Sequence, residues 1–189
     1  VSAERGFFDE EELTKFRKID SNLQGHPDMN KVPGVDMTSG SLGQGLSVAN
    51  GMALSSKMDS MGYRVYCLLG DGEIEEGQVW EAAMTSSKYK LDNLCVIVDN
   101  NNLQIDGKIE KVKGLNNIER KFESFGFKVI SIDGNNIEQI IDAFNEAKVT
   151  KGVPTAIIAK TIKGKGVSFM ENNVSWHGKA PNAEQLKEA

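Results

Sequence analysis

Cysteine is nearly absent: 189 residues contain only Cys67 and Cys95, each inside an apolar run, VYCLL and LCVIV. So few thiols in such settings exclude a disulfide-stapled scaffold and suit buried, reduced side chains, with a cytoplasmic protein as the expectation. No apolar run exceeds five residues, which is too short for a membrane span or the core of a signal peptide. Basic charge is not in excess either. The 22 Lys and Arg face 27 Asp and Glu, for a net charge of −5, which argues against general nucleic-acid binding. There is no low-complexity segment and no internal repeat. The chain starts at Val1 rather than Met, so a fragment or a processed product is expected. A chain of this length buries roughly 70% of its unfolded surface. One domain over residues 1–189 is the expectation.

The pattern that is present divides the chain. Residues 1–39 are polar and turn-rich, with Gly25, Pro27, Pro33 and Gly34, and read as a short helix near Asp9–Arg17 followed by a long loop. Long loops inside compact domains are often functional. Leu42–Lys57 reads as a helix carrying small residues, Gly43, Gly45, Ala49, Gly51 and Ala53. Glycine inside a helix costs about 1 kcal/mol relative to alanine, so close packing is the expected compensation. From residue 63 strands and helices alternate. RVYCLL, NLCVIV, KVISI and VPTAIIA are strand-like; Glu76–Lys88, Asn117–Phe125 and Asn136–Ala147 have helical periodicity. Apolar strands alternating with helices predict an α/β fold, an open and mostly parallel sheet covered by helices on both faces. Residues 161–189 read as an irregular tail with a short final helix.

Within this frame LLGDGEIEEG stands out. It places Asp71 between Gly70 and Gly72 at the carboxyl end of a strand, where open parallel sheets bind ligands. The next strand runs into VDNNN, and neighbouring strands lie about 4.8 Å apart. Asp71 and an asparagine from 100–102 can then converge. One carboxylate, one amide oxygen and a carbonyl make a partial shell of hard oxygen ligands, suited to Mg²⁺ or Ca²⁺ bridging to a diphosphate. The glycines permit a tight turn and close approach, and the helix that follows presents free N–H groups. Asp-Gly is also a common turn pair, and asparagine is common in loops. The three acids Glu73, Glu75 and Glu76 suit a helix N-terminus electrostatically.

The stretch from Gly70 to Gly107 resembles the thiamine diphosphate-binding motif of transketolases, with Asn101 thirty residues after Asp71. GHPDMNKVPGVDMTSGSLGQGLSVANGMA upstream and KTIKGKGVSFMENNVSWHG downstream extend the resemblance over nearly the whole chain. It most resembles the N-terminal subunit of a split transketolase. The resemblance implies Asp71, the Asn101 side chain and the Leu103 carbonyl as metal ligands. It implies that Gly70, Gly72, Gly40, Leu42 and His177 contact thiamine diphosphate, and that Glu76 joins a hydrogen-bond network at a subunit interface. His26 and His177, the only two histidines, fall on catalytic positions, and imidazole suits proton transfer near neutral pH.

It further implies transfer of a two-carbon ketol unit from a ketose phosphate to an aldose phosphate, in the pentose phosphate pathway, within a homo- or hetero-oligomer such as a dimer. In the family a stretch ahead of this sequence supplies a helix and a histidine, and a pyrimidine-binding domain supplies the activating glutamate. The chain by itself is therefore expected to be catalytically silent, and the partner it calls for is a C-terminal transketolase subunit. Two alternatives share GDG and the asparagine. One is another thiamine diphosphate enzyme, deoxyxylulose phosphate synthase-like or a 2-oxo acid dehydrogenase component. The other is a non-catalytic cofactor-binding or regulatory module.

Overall fold

The computed structural model describes residues 1–189, which form two compact units, Val1–Leu42 and Gly43–Ala189. The first is mostly turns. Asp9 caps a 3₁₀ turn at Glu10–Lys15, accepting from the Glu11 N–H at 3.0 Å. The expected helix over Asp9–Arg17 stops there because Arg17 and Asp20 are left-handed (φ 60° and 66°) and the Arg17 N–H turns to the Leu23 carbonyl. Met29 N–H donates to Thr38 Oγ1 at 3.1 Å and Ser39 N–H to the Pro27 carbonyl at 3.3 Å, closing the loop between them.

The second unit is built on four parallel strands: β1 (Val65–Gly70), β2 (Leu94–Asn100), β5 (Lys128–Asp133) and β6 (Thr155–Lys160), in the order β1-β2-β6-β5. Between β2 and β5 lie a two-stranded antiparallel hairpin, β3 (Leu103–Gln104) and β4 (Gly107–Lys108), and the single turn α3 (Ile109–Val112). The longer helices are α1 (Gly45–Met58), α2 (Gly77–Lys88), α4 (Ile118–Ser124) and α5 (Ile137–Val149), with α6 (Ala183–Glu188) closing the tail. Asn117, Asn136 and Asn182 cap α4, α5 and α6 through their side chains, as short polar residues do at helix starts.

The side-chain alternation of the strands splits the core in two. Val65, Cys67, Leu69, Val96, Val98, Ala156 and Ile158 face α1, α2 and α4, whose Leu46, Ala49, Ala53, Val79, Ala83 and Phe122 fill the larger cluster. Trp80 stacks on Phe125 at 5.4 Å and meets Phe122 at 5.2 Å along its margin. Cys95, Ile132, Ile157 and Ala159 face α5 on the other side. Helices thus cover both faces, as the alternating pattern expects. Coverage of the second face is incomplete: on the edge strand β1, Tyr66 and Leu68 remain 45% and 70% exposed. Both cysteines are free and buried, and burial raises both thiols to about 12.

Candidate functional site: the strand ends around Asp71

β1 and β2 run in parallel with Gly70 opposite Asp99, so Asp71 leaves the sheet beside Asn100. Its N–H still donates to the Asp99 carbonyl at 3.2 Å. Only 2% of Asp71 is exposed, and its carboxylate is surrounded by main chain. Oδ1 accepts from the Gly72 N–H at 2.9 Å and Oδ2 from the Asn102 N–H, with the Asn101 N–H nearby. No lysine or arginine pairs with it. Burial pushes its pKa above the ordinary carboxylate value, against the backbone N–H groups of Asn102 and Gly72, and the Asp99 charge adds to the rise.

The chain after β2 bends sharply at Asn102, which is left-handed at φ 62°, a conformation asparagine tolerates better than most residues. The Asn101 side-chain oxygen accepts from the Leu103 N–H at 3.0 Å. The bend returns the β3–β4 hairpin toward Gly72. A Cβ at Gly72 would lie 2.7 Å from Gln104 Oε1 and 2.9 Å from Gln104 Cβ, so only glycine fits. Beside the asparagines lies a groove of ≈ 730 Å³, lined by Asn100, Asn101 and Asn102 on one side and by Ile109, Leu115 and Ile118 among others. Asn100 is buried and its Oδ1 has no hydrogen-bond partner.

The other expected residues divide between the two units. In the first unit, Gly40 (φ +138°) lies directly against the His26 ring, where a Cβ would sit 2.7 Å from Cγ. Leu42 is 62% exposed. In the second unit Glu76 sits at the start of α2 with an extended backbone and no side-chain capping bond. A Cβ at Gly43 would be 2.8 Å from Glu76 Cβ, which ties the approach to α1 against that start. His177 follows a 3₁₀ turn at Val174–Trp176. Trp176 packs on Phe169 at 5.3 Å and donates its indole N–H to the Phe169 carbonyl at 3.0 Å, so the tail has its own small anchor. Burial and the nearby Lys163 charge lower the His177 pKa.

The donors suit a small hard cation: one buried carboxylate without a basic partner, a carboxamide oxygen and a main-chain carbonyl within one bend. There is no cluster of three or more His, Cys, Asp or Glu side chains that could cage a metal unaided. The strand-end pattern expects Asp71 and an asparagine from 100–102 to converge, and the register sets Asp71 beside Asn100. That pattern does not predict the hairpin that closes on Gly72, nor the role of Glu73. The Glu73 carboxylate accepts from Gly43 N–H and Gly70 N–H, both at 3.0 Å.

A parallel α/β unit that gathers an acid and asparagines at the carboxyl ends of adjacent strands has the layout in which open α/β sheets bind ligands. The chain belongs to the transketolase family: residues 6–189 match the model of the transketolase thiamine diphosphate-binding domain. It is 44% identical over 185 residues to one chain of the apulose-4-phosphate transketolase of Phocaeicola vulgatus, covering 98% of this chain and 66% of that one. It is 48% identical over 180 residues to the transketolase of Homo sapiens, covering 95% of this chain and 28% of that protein. Among solved structures, the transketolase of Campylobacter jejuni superposes with a TM-score of 0.89 at 36% identity, covering 94% of this chain and 29% of that one. The chain thus spans about two thirds of the apulose-4-phosphate relative and under a third of the long transketolases.

Proposed function

We propose that this chain is the diphosphate-holding subunit of a thiamine diphosphate- and Mg²⁺-dependent transketolase. It moves a two-carbon ketol unit from a ketose phosphate to an aldose phosphate together with a C-terminal subunit that carries the pyrimidine-binding domain. The observation that carries the reading is the buried Asp71 carboxylate at the end of β1, held in main-chain N–H groups beside Asn101 and Leu103, in a chain that matches the family over residues 6–189.

In this reading Asp71, the Asn101 carboxamide and the Leu103 carbonyl hold the cation, Gly70 and Gly72 admit the diphosphate, and Gly40, Leu42 and His177 border the cofactor. The cofactor, when bound, supplies the carbanion and the electron sink. The protein's own share is binding, orientation and proton movement. His177, its pKa lowered, is a neutral imidazole at neutral pH and is able to accept a proton from a sugar hydroxyl. His26, stacked on Gly40, serves the substrate at the reacting carbon. Glu76, at the exposed start of α2, contributes to the interface with the partner. Oligomeric assembly, a cytoplasmic location and a place in pentose phosphate metabolism complete the proposal. The relatives named for apulose-4-phosphate and for 6-deoxy-6-sulfo-D-fructose are subunits of transketolases, which supports a two-chain enzyme.

The test pairs binding with turnover. Titration of thiamine diphosphate, with and without Mg²⁺ and with and without the partner chain, should show cation-dependent binding. Ketose-to-aldose transfer should need both chains. Full turnover by the purified chain alone refutes the shared site, and pyruvate turnover with the partner moves the protein to another thiamine diphosphate enzyme class. Absence of cofactor binding under every condition leaves a non-catalytic module.

A further inference from the structure

Glu73 follows Asp71 by two residues, and its charge has an ordinary use at a helix start. Its carboxylate is not used that way. Oε1 accepts from the Gly43 N–H and Oε2 from the Gly70 N–H, each at 3.0 Å. Gly43 lies two residues ahead of α1, and Gly70 is the last residue of β1. β1 is an edge strand, and Asp71 N–H is the donor that reaches β2, through the Asp99 carbonyl. Gly70 N–H therefore has no strand to pair with, and Glu73 takes it. The Glu73 main chain is fixed as well: its carbonyl accepts from Glu76 N–H at 3.1 Å, at the entry to α2. One residue thus joins the end of β1 to the approaches of α1 and α2.

We infer that Glu73 is a positioning residue that sets the direction of the Asp71 carboxylate; the inference rests on the reading of Asp71 as a cation ligand. Gly70 and Gly72 flank Asp71 and have no side chains with which to anchor the turn. Asp71 itself is held through its N–H by the Asp99 carbonyl and through its oxygens by the Gly72 and Asn102 N–H groups; the residue before it needs a further acceptor, and the Glu73 carboxylate is suited to that. It offers two acceptor oxygens, and charge-assisted bonds are roughly twice as strong as neutral ones. A carboxamide at this position has one acceptor and would present an N–H₂ to the second backbone N–H. Aspartate is one methylene shorter and cannot span both donors from the same backbone position.

Two measurements on the full chain with its partner subunit test this. The first is amide hydrogen exchange at Gly43 and Gly70 in wild type, Glu73→Gln and Glu73→Ala. The second is the Mg²⁺ dissociation constant at saturating thiamine diphosphate, by calorimetry well below the thermal midpoint. Loss of a partner that orients a metal ligand typically costs 10–100-fold in metal affinity. Glu73→Ala is expected to weaken Mg²⁺ by about tenfold or more and to speed exchange at both amides. Glu73→Gln, which keeps one bond, should fall between alanine and wild type and guards against a folding failure. Faster exchange with unchanged Mg²⁺ affinity overturns the inference, because the clamp would then be structural only. Unchanged exchange at both glycines overturns it as well. If the wild type itself shows no Mg²⁺-dependent uptake, the site reading falls and the inference with it. If the wild type binds and the variants bind equally well, the inference alone falls.

Discussion

The proposed cation site turns on Asp71. A carboxylate that is 2% exposed and met only by backbone N–H groups is costly to keep charged, as its raised pKa records. A divalent cation would offset that cost. Asp71→Asn is therefore expected to weaken Mg²⁺-dependent cofactor binding by at least about 100-fold without unfolding the chain, as read by calorimetry beside a thermal melt. His177 offers a second check. Burial lowers its pKa and Lys163 lowers it further, so Lys163→Met should move the imidazole back up toward 6.5, followed by ring-proton shifts against pH. The sign for stability follows from the same direction. The folded chain binds its proton less readily than the unfolded chain, so the contribution of His177 to stability is present above the unfolded value and is lost as pH falls through it toward the folded one. Lys163→Met should reduce that loss.

At the scale of elements, the join between α1 and α2 matters most, since their approaches both meet at Glu73. Between these helices lies a buried polar network. Asn50 Nδ2 donates to the Ala82 carbonyl at 2.8 Å, and Ser86 Oγ donates to Asn50 Oδ1 at 2.7 Å. Asn50 and Ser86 are 5% and 0% exposed. Removing one partner of such a network leaves others unsatisfied at about 1–3 kcal/mol. Asn50→Ala should destabilise by that amount in chemical denaturation. Ser86→Ala should cost a similar amount, because it leaves the buried Asn50 Oδ1 without a donor, whereas Asn50→Ala leaves Ser86 Oγ its bond to the Ala82 carbonyl at 3.0 Å. The β3–β4 hairpin belongs to this scale too. It is only two residues a side, carries no periodic signal and is set by the left-handed turn at Asn102 and the Leu103–Lys108 pairing. The strand and helix spacing therefore passes over it.

The whole molecule shows two unequal sheet faces. Leu69 points into the packed side and is 1% exposed, while its neighbour Leu68 points to the other side and is 70% exposed. Leu69→Ala should cost about 2–5 kcal/mol as a buried large-to-small change, whereas Leu68→Thr should stay within about 0.5 kcal/mol. Denaturant melts of the isolated chain distinguish the two. A parallel strand is usually covered on both sides, and the exposure of Tyr66 and Leu68 marks where this chain leaves that rule unmet.

What was legible in the sequence is what short-range chemistry dictates. The apolar strands, the period of α5, the Gly-Asp-Gly turn and the asparagine run after β2 all follow from local pattern, and parallel pairing then brings Asp71 next to Asn100 by register alone. The expected helix over Asp9–Arg17 shrank to the six-residue 3₁₀ helix Glu10–Lys15, because the backbone of Arg17 was claimed by Leu23, a partner no periodicity can announce. Glu73 read as one acid among three at a helix start. Only the folded chain turned its two oxygens to Gly43 and Gly70, residues 30 and 3 positions away. Local chemistry was enough for the strands, their helices and the placing of the acid at a strand end, since side-chain period and turn preference act over a few residues. Folding in three dimensions chose the backbone groups that hold that acid still, because a carboxylate takes its partners by proximity in space, and proximity across elements exists only once the core has closed.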